Sequence, residues 1–562
     1  MGCCSISALS TFRVNNRASS LAMFHSFDTV RREWISRQPP LAVDPQTNLG
    51  QLILTALDRV PSGEALQIDA DHQDRVMSAA EMRLRAIRVA QNLSSLGFGK
   101  GDMAALICCN SENLTPIALG LLIAGVTFVA LPVNFHADDL GYLMGLVQPE
   151  LVICDEAVYK ATLDGAARSL NQKPVIFVVE SERESVRNVE ELLQETGNEA
   201  AFVPQWHGDV REQIAVILCT SGTTGQPKGV CVSQAHIAVV LNQPRRGSPT
   251  KDLIFNFSPL YWGTGLFSLL NSVSTGTTRA ITRSSFNEDT FYDILERLKP
   301  TQFFTPPSHA ILLLNHPRAE SADFSSLRSW GLSGSHASPR LRRLLEAKLP
   351  NGKTSNSYAS SETGLIAMEF GKRKEGSVGQ LMPHLNAKVV DECGMAVGIG
   401  EHGELLISTK IPFMGYYNDE KATRELVDEE GWIRTGDIGY FDEDGFVFLV
   451  DRKKDVIKYR GYQMSPVDLE TLIAELDGVR QVCVVGVPEM DASSDLPAAV
   501  IVRQEGSLLT EQQVEQHLVQ RQISDHKRLR GGVFFWAELP LTATGKVLRR
   551  TVRQMLVEQL AA

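Results

Sequence analysis

The sequence predicts an α/β protein: a largely parallel, doubly wound sheet region, then a small antiparallel barrel or sheet, then a separate C-terminal unit. Three observations support this. Short apolar runs alternate with helical patterns from about residue 44 to 349. Short strands separated by turns replace them between about 376 and 450. A charged connector, DRKKD at 451–455, then precedes a compact stretch of about 105 residues. A chain of 562 residues is in any case too long for one ordinary core.

Residues 1–44 are set apart as an N-terminal extension. Residues 1–27 contain Arg13, Arg17 and several serines but no acid before Asp28, which suits either a mitochondrial transit peptide or a disordered tail. The opening MGCCSIS resembles an acylation signal, except that Ile6 stands where a hydroxyl residue is required. The chain ends Leu-Ala-Ala, which is not the peroxisomal tripeptide, and no secretory signal is evident. The expectation is an intracellular protein, mitochondrial or cytoplasmic.

In the alternating region, AAEMRLRAIRVAQNLSSLG reads as an amphipathic helix ended by glycine. DMAALICC, VTFVALPV, ELVIC and PVIFVV read as buried strands, as do IAVILCT, DLIFNFS, TRAIT and TQFFTP further on. The uncharged run Leu114–Phe135 is long enough to span a membrane, but Gly125 and Pro132 divide it into a buried helix, a turn and a buried strand. In the next region AKVVD, GELLIST and GFVFLV are strands, with EDG at 443–445 as a hairpin turn. The C-terminal unit offers helices at VDLETLIAEL and TEQQVEQHLVQRQ and strands at QVCVVGV and AAVIVRQ.

The formal net charge of −11 and the lack of a basic run interleaved with aromatics exclude nucleic-acid binding as a general role. Nine cysteines, odd in number and with no CxxC pair, suit reduced, buried thiols better than disulfides or zinc.

Five short motifs carry chemistry. TSGTTGQPKG, Thr220–Gly229, follows a buried strand. Its glycines let backbone N–H groups form an anion nest, its hydroxyls donate, and Lys228 adds a point charge. A flexible surface loop is the plainer reading of such a stretch. STGTTR at 274–279 has similar letters and reads as a turn. NSYASSETG (356–364) offers an aromatic face, Tyr358, four residues before a carboxylate, Glu362, which can share Mg²⁺ with waters and phosphates. RTGDIGYFDEDG (434–445) puts Asp437 in a glycine-flanked loop, to hold hydroxyls or merely to cap. DRKKDVIKYRGYQMSP (451–466) and PLTATGKVLRR (540–550) complete the set, the latter presenting Lys546 after a glycine.

In this order and spacing, the five motifs resemble the adenylate-forming superfamily of acyl-CoA synthetases, peptide-synthetase adenylation domains and beetle luciferases. The resemblance covers roughly residues 45–555. IKYRGYQMSP and KRLRGGVFF are closest to the branch of 4-coumarate–CoA ligase and firefly luciferase. It implies a large N-terminal domain of two doubly wound sheets plus a small β-barrel, residues 45–453, and a smaller mobile α+β domain, 454–562, hinged at Lys454. It also implies ATP, Mg²⁺ and coenzyme A as cofactor and co-substrates, and a small carboxylic acid as the remaining partner, in a monomer or homodimer with no transmembrane segment.

The resemblance further assigns residues. Thr220, Ser221, Gly222, Thr223, Thr224, Gly225 and Lys228 would hold the β- and γ-phosphates of ATP. Glu362 would coordinate Mg²⁺, beside Ser361. Tyr358 would stack on adenine, within Asn356, Ser357, Tyr358, Ala359 and Ser360 and near Gly334, Ser335 and His336. Asp437 and Arg452 would bind ribose. Lys546 would bridge the attacking carboxylate and the α-phosphate. Lys458, Gly461 and Gln463 would face the entering thiol. Tyr261, Trp262, Gly263, Thr264, Pro306, Ser333 and Leu365 would line the acyl pocket, with neighbours through Gly265, His309, Leu332 and Ile366.

Four positions depart from the family pattern. Ala359 stands for Gly, Ser361 for Thr and Gln234 for His, with His236 two residues on, and SGSHA (333–337) replaces a Gly-Gly-Ala run. None removes a charge the chemistry needs. The apolar pocket favours a medium- or long-chain fatty acid, with an aryl acid, a luciferase-like oxidation, or a non-catalytic nucleotide-binding protein as alternatives.

Overall fold

A computed structural model describes residues 24–38, 43–220, 227–242, 252–409, 411, 413–459, 462–489, 494–542 and 545–561. Phosphate-loop residues Ser221, Gly222, Thr223, Thr224 and Gly225, together with Gly461, lie outside them.

Two sheets dominate. In the first, the strands run in the order Lys228–Ser233, Ile214–Thr220, Thr127–Ala130, Met103–Ile107, Leu151–Asp155, Val175–Val179 and Arg187–Asn188. All neighbours are parallel except the first pair. In the second, the order is Gln380–Leu381, Gly364–Met368, Lys353–Ser360, Ser329–Leu332, Gln302–Thr305, Leu253–Phe255, Thr278–Ile281, Ala65–Asp69 and Arg75–Ser78. Its six central strands are parallel and three antiparallel strands close its ends.

The helices form where the pattern placed them. Ala79–Ser95 begins at Ser78, whose hydroxyl accepts the Glu81 N–H, and buries Met82, Ala86, Ile87, Val89, Ala90 and Leu93. The uncharged run resolves into the helix Leu114–Ala124, a turn at Gly125 and the strand Thr127–Ala130, all inside the first sheet's core. Among the described residues no helix is long and apolar enough to cross a membrane.

The antiparallel unit is a six-stranded sheet, ordered His25–Asp28, Glu33–Ser36, Leu385–Val390, Gly403–Thr409, Ile433–Phe441 and Val447–Arg452. Its two end strands are not paired with each other among the described residues. The first two strands correct the assignment of residues 1–44 to an extension. His25–Ser36 is a hairpin paired to Leu385–Val390, with Trp34 buried against Phe441 and the His25 ring on the Leu385 carbonyl. The antiparallel sheet thus recruits strands from upstream of residue 45.

The C-terminal unit begins with a hairpin, Ile457–Tyr459 and Tyr462–Met464, and builds on the sheet Val479–Pro488, Asp495–Arg503 and Gly532–Trp536. The helices Pro466–Ile473, Glu511–Gln520 and Arg549–Ala561 complete it, and both sheet faces have apolar cores. All seven described cysteines are free; Cys108, Cys154, Cys231 and Cys483 are buried as expected, Cys109 and Cys219 are half-buried, and Cys393 is exposed, against the expectation.

Candidate active site

In the second sheet the chain leaves Leu253–Phe255 for Thr278–Ile281 on one side, then places Gln302–Thr305, Ser329–Leu332 and Lys353–Ser360 on the other. Open α/β sheets bind ligands beyond the carboxyl ends of the strands at such a reversal. Most of the second sheet's candidates lie just past those ends: Tyr261, Trp262, Gly263 and Thr264 after the first strand, Pro306 after Gln302–Thr305, Ser333 and Gly334 after Ser329–Leu332. Asn356, Ser357 and Tyr358 lie within Lys353–Ser360 itself.

Asp437 and Arg452 are directly opposite on the antiparallel strands Ile433–Phe441 and Val447–Arg452, so register alone pairs them. Arg452 Nε lies 3.3 Å from Asp437 Oδ1, while Tyr358 Oη donates to Asp437 Oδ2 over 2.5 Å. Burial raises the Asp437 pKa, against the pull of Arg452, the Tyr358 hydrogen bond and Lys546. Ser333 Oγ donates to the Ser357 carbonyl at 3.0 Å, tying the neighbouring strand ends together.

Lys546 reaches this group from the C-terminal unit. Its turn is closed by the Thr542 N–H on the Lys546 carbonyl (2.7 Å), the Gly545 N–H on the Thr542 carbonyl (2.8 Å) and the Lys546 N–H on Thr542 Oγ1 (3.0 Å). The lysine stem crosses Gly334, where an added Cβ would stand 3.0 Å from Lys546 Cε. Gly334 also has φ +92°, so its conformation favours glycine, and a side chain there would push the lysine stem aside by a few tenths of an ångström. Burial between the two domains, then Arg452, lowers the Lys546 pKa, and Asp437 opposes them. The side chain still opens to the cleft, whose water screens the shift.

Thr220 and Lys228 are directly opposite across an antiparallel pair, so the phosphate-type loop joins two adjacent strands and Lys228 begins the second of them. The Lys228 ammonium lies 4.8 Å from the centroid of the Tyr416 ring, and Tyr416 Oη donates to Glu362 Oε1 at 2.8 Å. Tyr416 thus links the lysine to the carboxylate. The sequence does not single it out, because GYYND (415–419), with one glycine and one capping acid, reads as an ordinary turn before a helix. Glu362 is at the tip of a hairpin in which Ser360 pairs with Gly364 and Ser360 Oγ holds the Thr363 N–H. Ser361 and Ala359 flank that tip, Ala359 beside a bulge.

Further candidates fall less centrally. Ser335 and His336 are exposed, and Lys454 is exposed in the turn after Val447–Arg452. Lys458 and Gln463 oppose each other in the C-terminal hairpin. Tyr261 and Trp262 meet edge to face at 5.2 Å, both half-buried, and Thr264 Oγ1 donates to Ser258 Oγ. Pro306 and Leu365 are half-buried, and Leu332 and Ile366 are buried in the cores.

A doubly wound domain whose strand ends face a lysine carried by a smaller second domain defines an adenylate-forming enzyme. The chain belongs to the AMP-binding enzyme family: the family model matches residues 55–417, and that of the AMP-binding enzyme C-terminal domain matches 468–546. It is 30% identical over 488 residues to a protein of Dictyostelium discoideum named probable 4-coumarate–CoA ligase 3, covering 83% of this chain and 88% of that one. It is 29% identical to the luciferin 4-monooxygenase of Luciola mingrelica over 84% of this chain and 87% of that one. The fold matches the crystal structure of an anthranilate CoA ligase in complex with anthranoyl-AMP, with a TM-score of 0.83, 20% identity, and coverage of 92% of this chain and 99% of that one.

Proposed function

We propose that the protein is an AMP-forming acid–thiol ligase. It activates a hydrophobic carboxylic acid, a medium- or long-chain fatty acid in the favoured reading, and passes the acyl group to coenzyme A. The observation that carries this is the approach of Lys546 to Gly334 beside the Asp437–Arg452 pair, from a separate domain.

In the first step a carboxylate oxygen attacks the α-phosphorus of ATP, the bond to the bridging oxygen breaks, and pyrophosphate leaves. The two reacting groups are both anionic, and the Lys546 ammonium between them offsets their repulsion. Lys228 and the hydroxyl and glycine loop before it take up charge on the departing pyrophosphate. Asp437 and Arg452 hold the ribose, with Tyr358 supporting Asp437. Glu362 would hold Mg²⁺. Among the described residues no three His, Cys, Asp or Glu gather to cage a metal. A single carboxylate, one oxygen engaged by Tyr416, nonetheless suits an ion that keeps its waters and takes substrate phosphates. Bound there, Mg²⁺ supplies charge neutralisation of the phosphates.

In the second step the thiol sulfur, its proton released to solvent, attacks the acyl carbonyl carbon and AMP leaves. Lys458, Gly461 and Gln463 belong to this step, after the C-terminal unit turns about Lys454. Tyr261 and Trp262 favour an apolar acyl group, with no counter-charge for an amino acid. An aryl acid is the second reading, favoured by the name of the Dictyostelium relative. The test is pyrophosphate release over a panel of fatty and aryl acids, with and without coenzyme A. Release with fatty acids and thioester formation are expected. Release without any thioester would overturn the ligase assignment, and a preference for aryl acids would replace the fatty-acid reading.

A further inference from the structure

The Lys546 turn is gripped from outside its own domain. Ser308, in the first turn of the helix Pro307–Asn315, has its Oγ 2.5 Å from the Gly545 carbonyl, and that hydroxyl donates to it. The next residue, His309, is buried and stacks on Phe286 with ring centroids 3.7 Å apart and planes 9° apart. Its imidazole faces the α-carbon of Gly545 so closely that an added Cβ there would stand 2.1 Å from His309 Nε2. Gly545 has φ +75°, so contact and conformation both demand glycine. Burial lowers the His309 pKa to about 4, which leaves it a neutral wall at physiological pH.

We propose that Ser308 and His309 form a latch, specific to the pose seen here, that docks the Gly545 backbone and thereby sets the position of Lys546. This rests on the adenylation reading of Lys546 and adds two positioning residues to it. Three features support the latch. First, the contact is to backbone immediately before the lysine, so it fixes where the stem begins its passage over Gly334. Second, Ser308 Oγ and His309 lie on one helical turn, so hydrogen bond and wall act on the same peptide. Third, Arg340 Nη1 on the Ala474 carbonyl at 2.7 Å, with Nη2 3.3 Å from Asp477, also joins an N-domain helix to the C-terminal unit, but from a different helix and at a place away from the Lys546 turn. Arg340 can hold the domains near each other, whereas the Ser308–His309 contact bears directly on the peptide before the lysine. Rotation of the C-terminal unit must break the latch, so its strength biases the protein toward the first half-reaction and against the second.

The test uses the full chain. Spin labels on unnatural side chains at the exposed positions Leu344 and Val519 report the interdomain distance, with and without ATP. Ser308→Ala removes one hydrogen bond and should deplete the short-distance population several-fold. Ser308→Thr keeps the hydroxyl and should restore it. An unchanged distribution in Ser308→Ala overturns the latch. With dodecanoate, Ser308→Ala should slow ATP–pyrophosphate exchange by about three- to tenfold. With synthetic dodecanoyl-AMP, its transfer to coenzyme A should stay equal or quicken. Equal loss in both assays would show a merely structural role and also overturns the latch. The distance measurement needs no acyl substrate. If the unaltered chain exchanges pyrophosphate with no acid, the adenylation reading falls while the latch still stands or falls on the distances.

Discussion

Tyr358 donates its phenolic hydrogen to Asp437 over 2.5 Å, so the carboxylate proposed to receive ribose is already held by an aromatic from the neighbouring sheet. The bond joins the hairpin that ends in Glu362 to the strand that faces Arg452. One hydrogen bond therefore couples the proposed metal side and the proposed ribose side of the cleft.

Burial raises the Asp437 pKa from its ordinary value. A raised carboxyl holds more protons folded than unfolded. Its contribution to stability is full below the unfolded value of about 3.9 and is lost as pH rises through the folded value. Asp437→Asn should therefore raise the thermal midpoint at neutral pH, with the difference from the parent vanishing below about pH 4. The same change should weaken ATP binding roughly 10- to 100-fold, the worth of a charge-assisted hydrogen bond. Melting curves across pH and titration with ATP check both. A lower midpoint at neutral pH would refute the argument.

Lys546→Ala should leave ATP binding within about threefold of the parent and reduce acyl-adenylate formation roughly 100- to 1,000-fold, the range for removing one oriented contact to developing charge. The burial that lowers its pKa has a second consequence. The ammonium is lost at a pH below that of an ordinary lysine, so the exchange rate should fall on the alkaline side before a free lysine would titrate. A rate that holds level to about pH 10.4, the ordinary lysine value, would contradict this.

What the sequence disclosed and what it withheld divide along the range of the interaction. The strand before Thr220, the helix ended at Gly97 and the split of Leu114–Phe135 are local, and periodicity and turn residues revealed them. The lysine–tyrosine–glutamate chain was not legible, because Tyr416 and Glu362 are 54 positions apart and meet only when Gly415–Tyr417 pairs with the strand after the phosphate loop. The N-terminal hairpin was missed for the same reason. Its four-residue strands carry little alternation, and the strand that receives them lies some 350 residues downstream. Ser308 looked like part of a pocket wall because nothing in PPSHA points to a glycine 237 positions away.

The hairpin that ends in Glu362 rests on a buried ion pair. Arg342 makes two 2.8 Å bonds to Glu369, whose side chain is only 4% exposed, and Glu369 also accepts the Asn356 N–H at 3.2 Å. Glu369→Ala strands the guanidinium and should cost about 3–5 kcal/mol, measured as a drop in the urea midpoint. The double change Arg342→Met with Glu369→Leu removes both charges and should recover most of that loss, because the desolvation cost goes with the pair. A double variant as unstable as Glu369→Ala would show that the pair is worth more than its own burial.

The proposed rotation of the C-terminal unit has a marked starting point. Lys453 donates its N–H to the Gly436 carbonyl, and the N–H groups of Asp455 and Val456 both return to Arg452. Ser465 Oγ, at the start of the helix Pro466–Ile473, donates to the Val450 carbonyl and to Asp451 Oδ2. Between these fixed points, no hydrogen bond recorded for the described residues uses the Lys454 N–H. Proline at 454 thus removes no backbone bond in this pose, while it fixes φ near −65° and bars the dihedral change that rotation needs. Lys454→Pro should leave ATP–pyrophosphate exchange within about twofold of the parent. It should slow thioester formation from supplied acyl-AMP by more than about tenfold, because the second pose becomes the costly one. Stopped-flow measurement of the two half-reactions separates these rates. Equal loss in both would mean that the turn serves only to hold the fold, and that Lys454 is not the hinge.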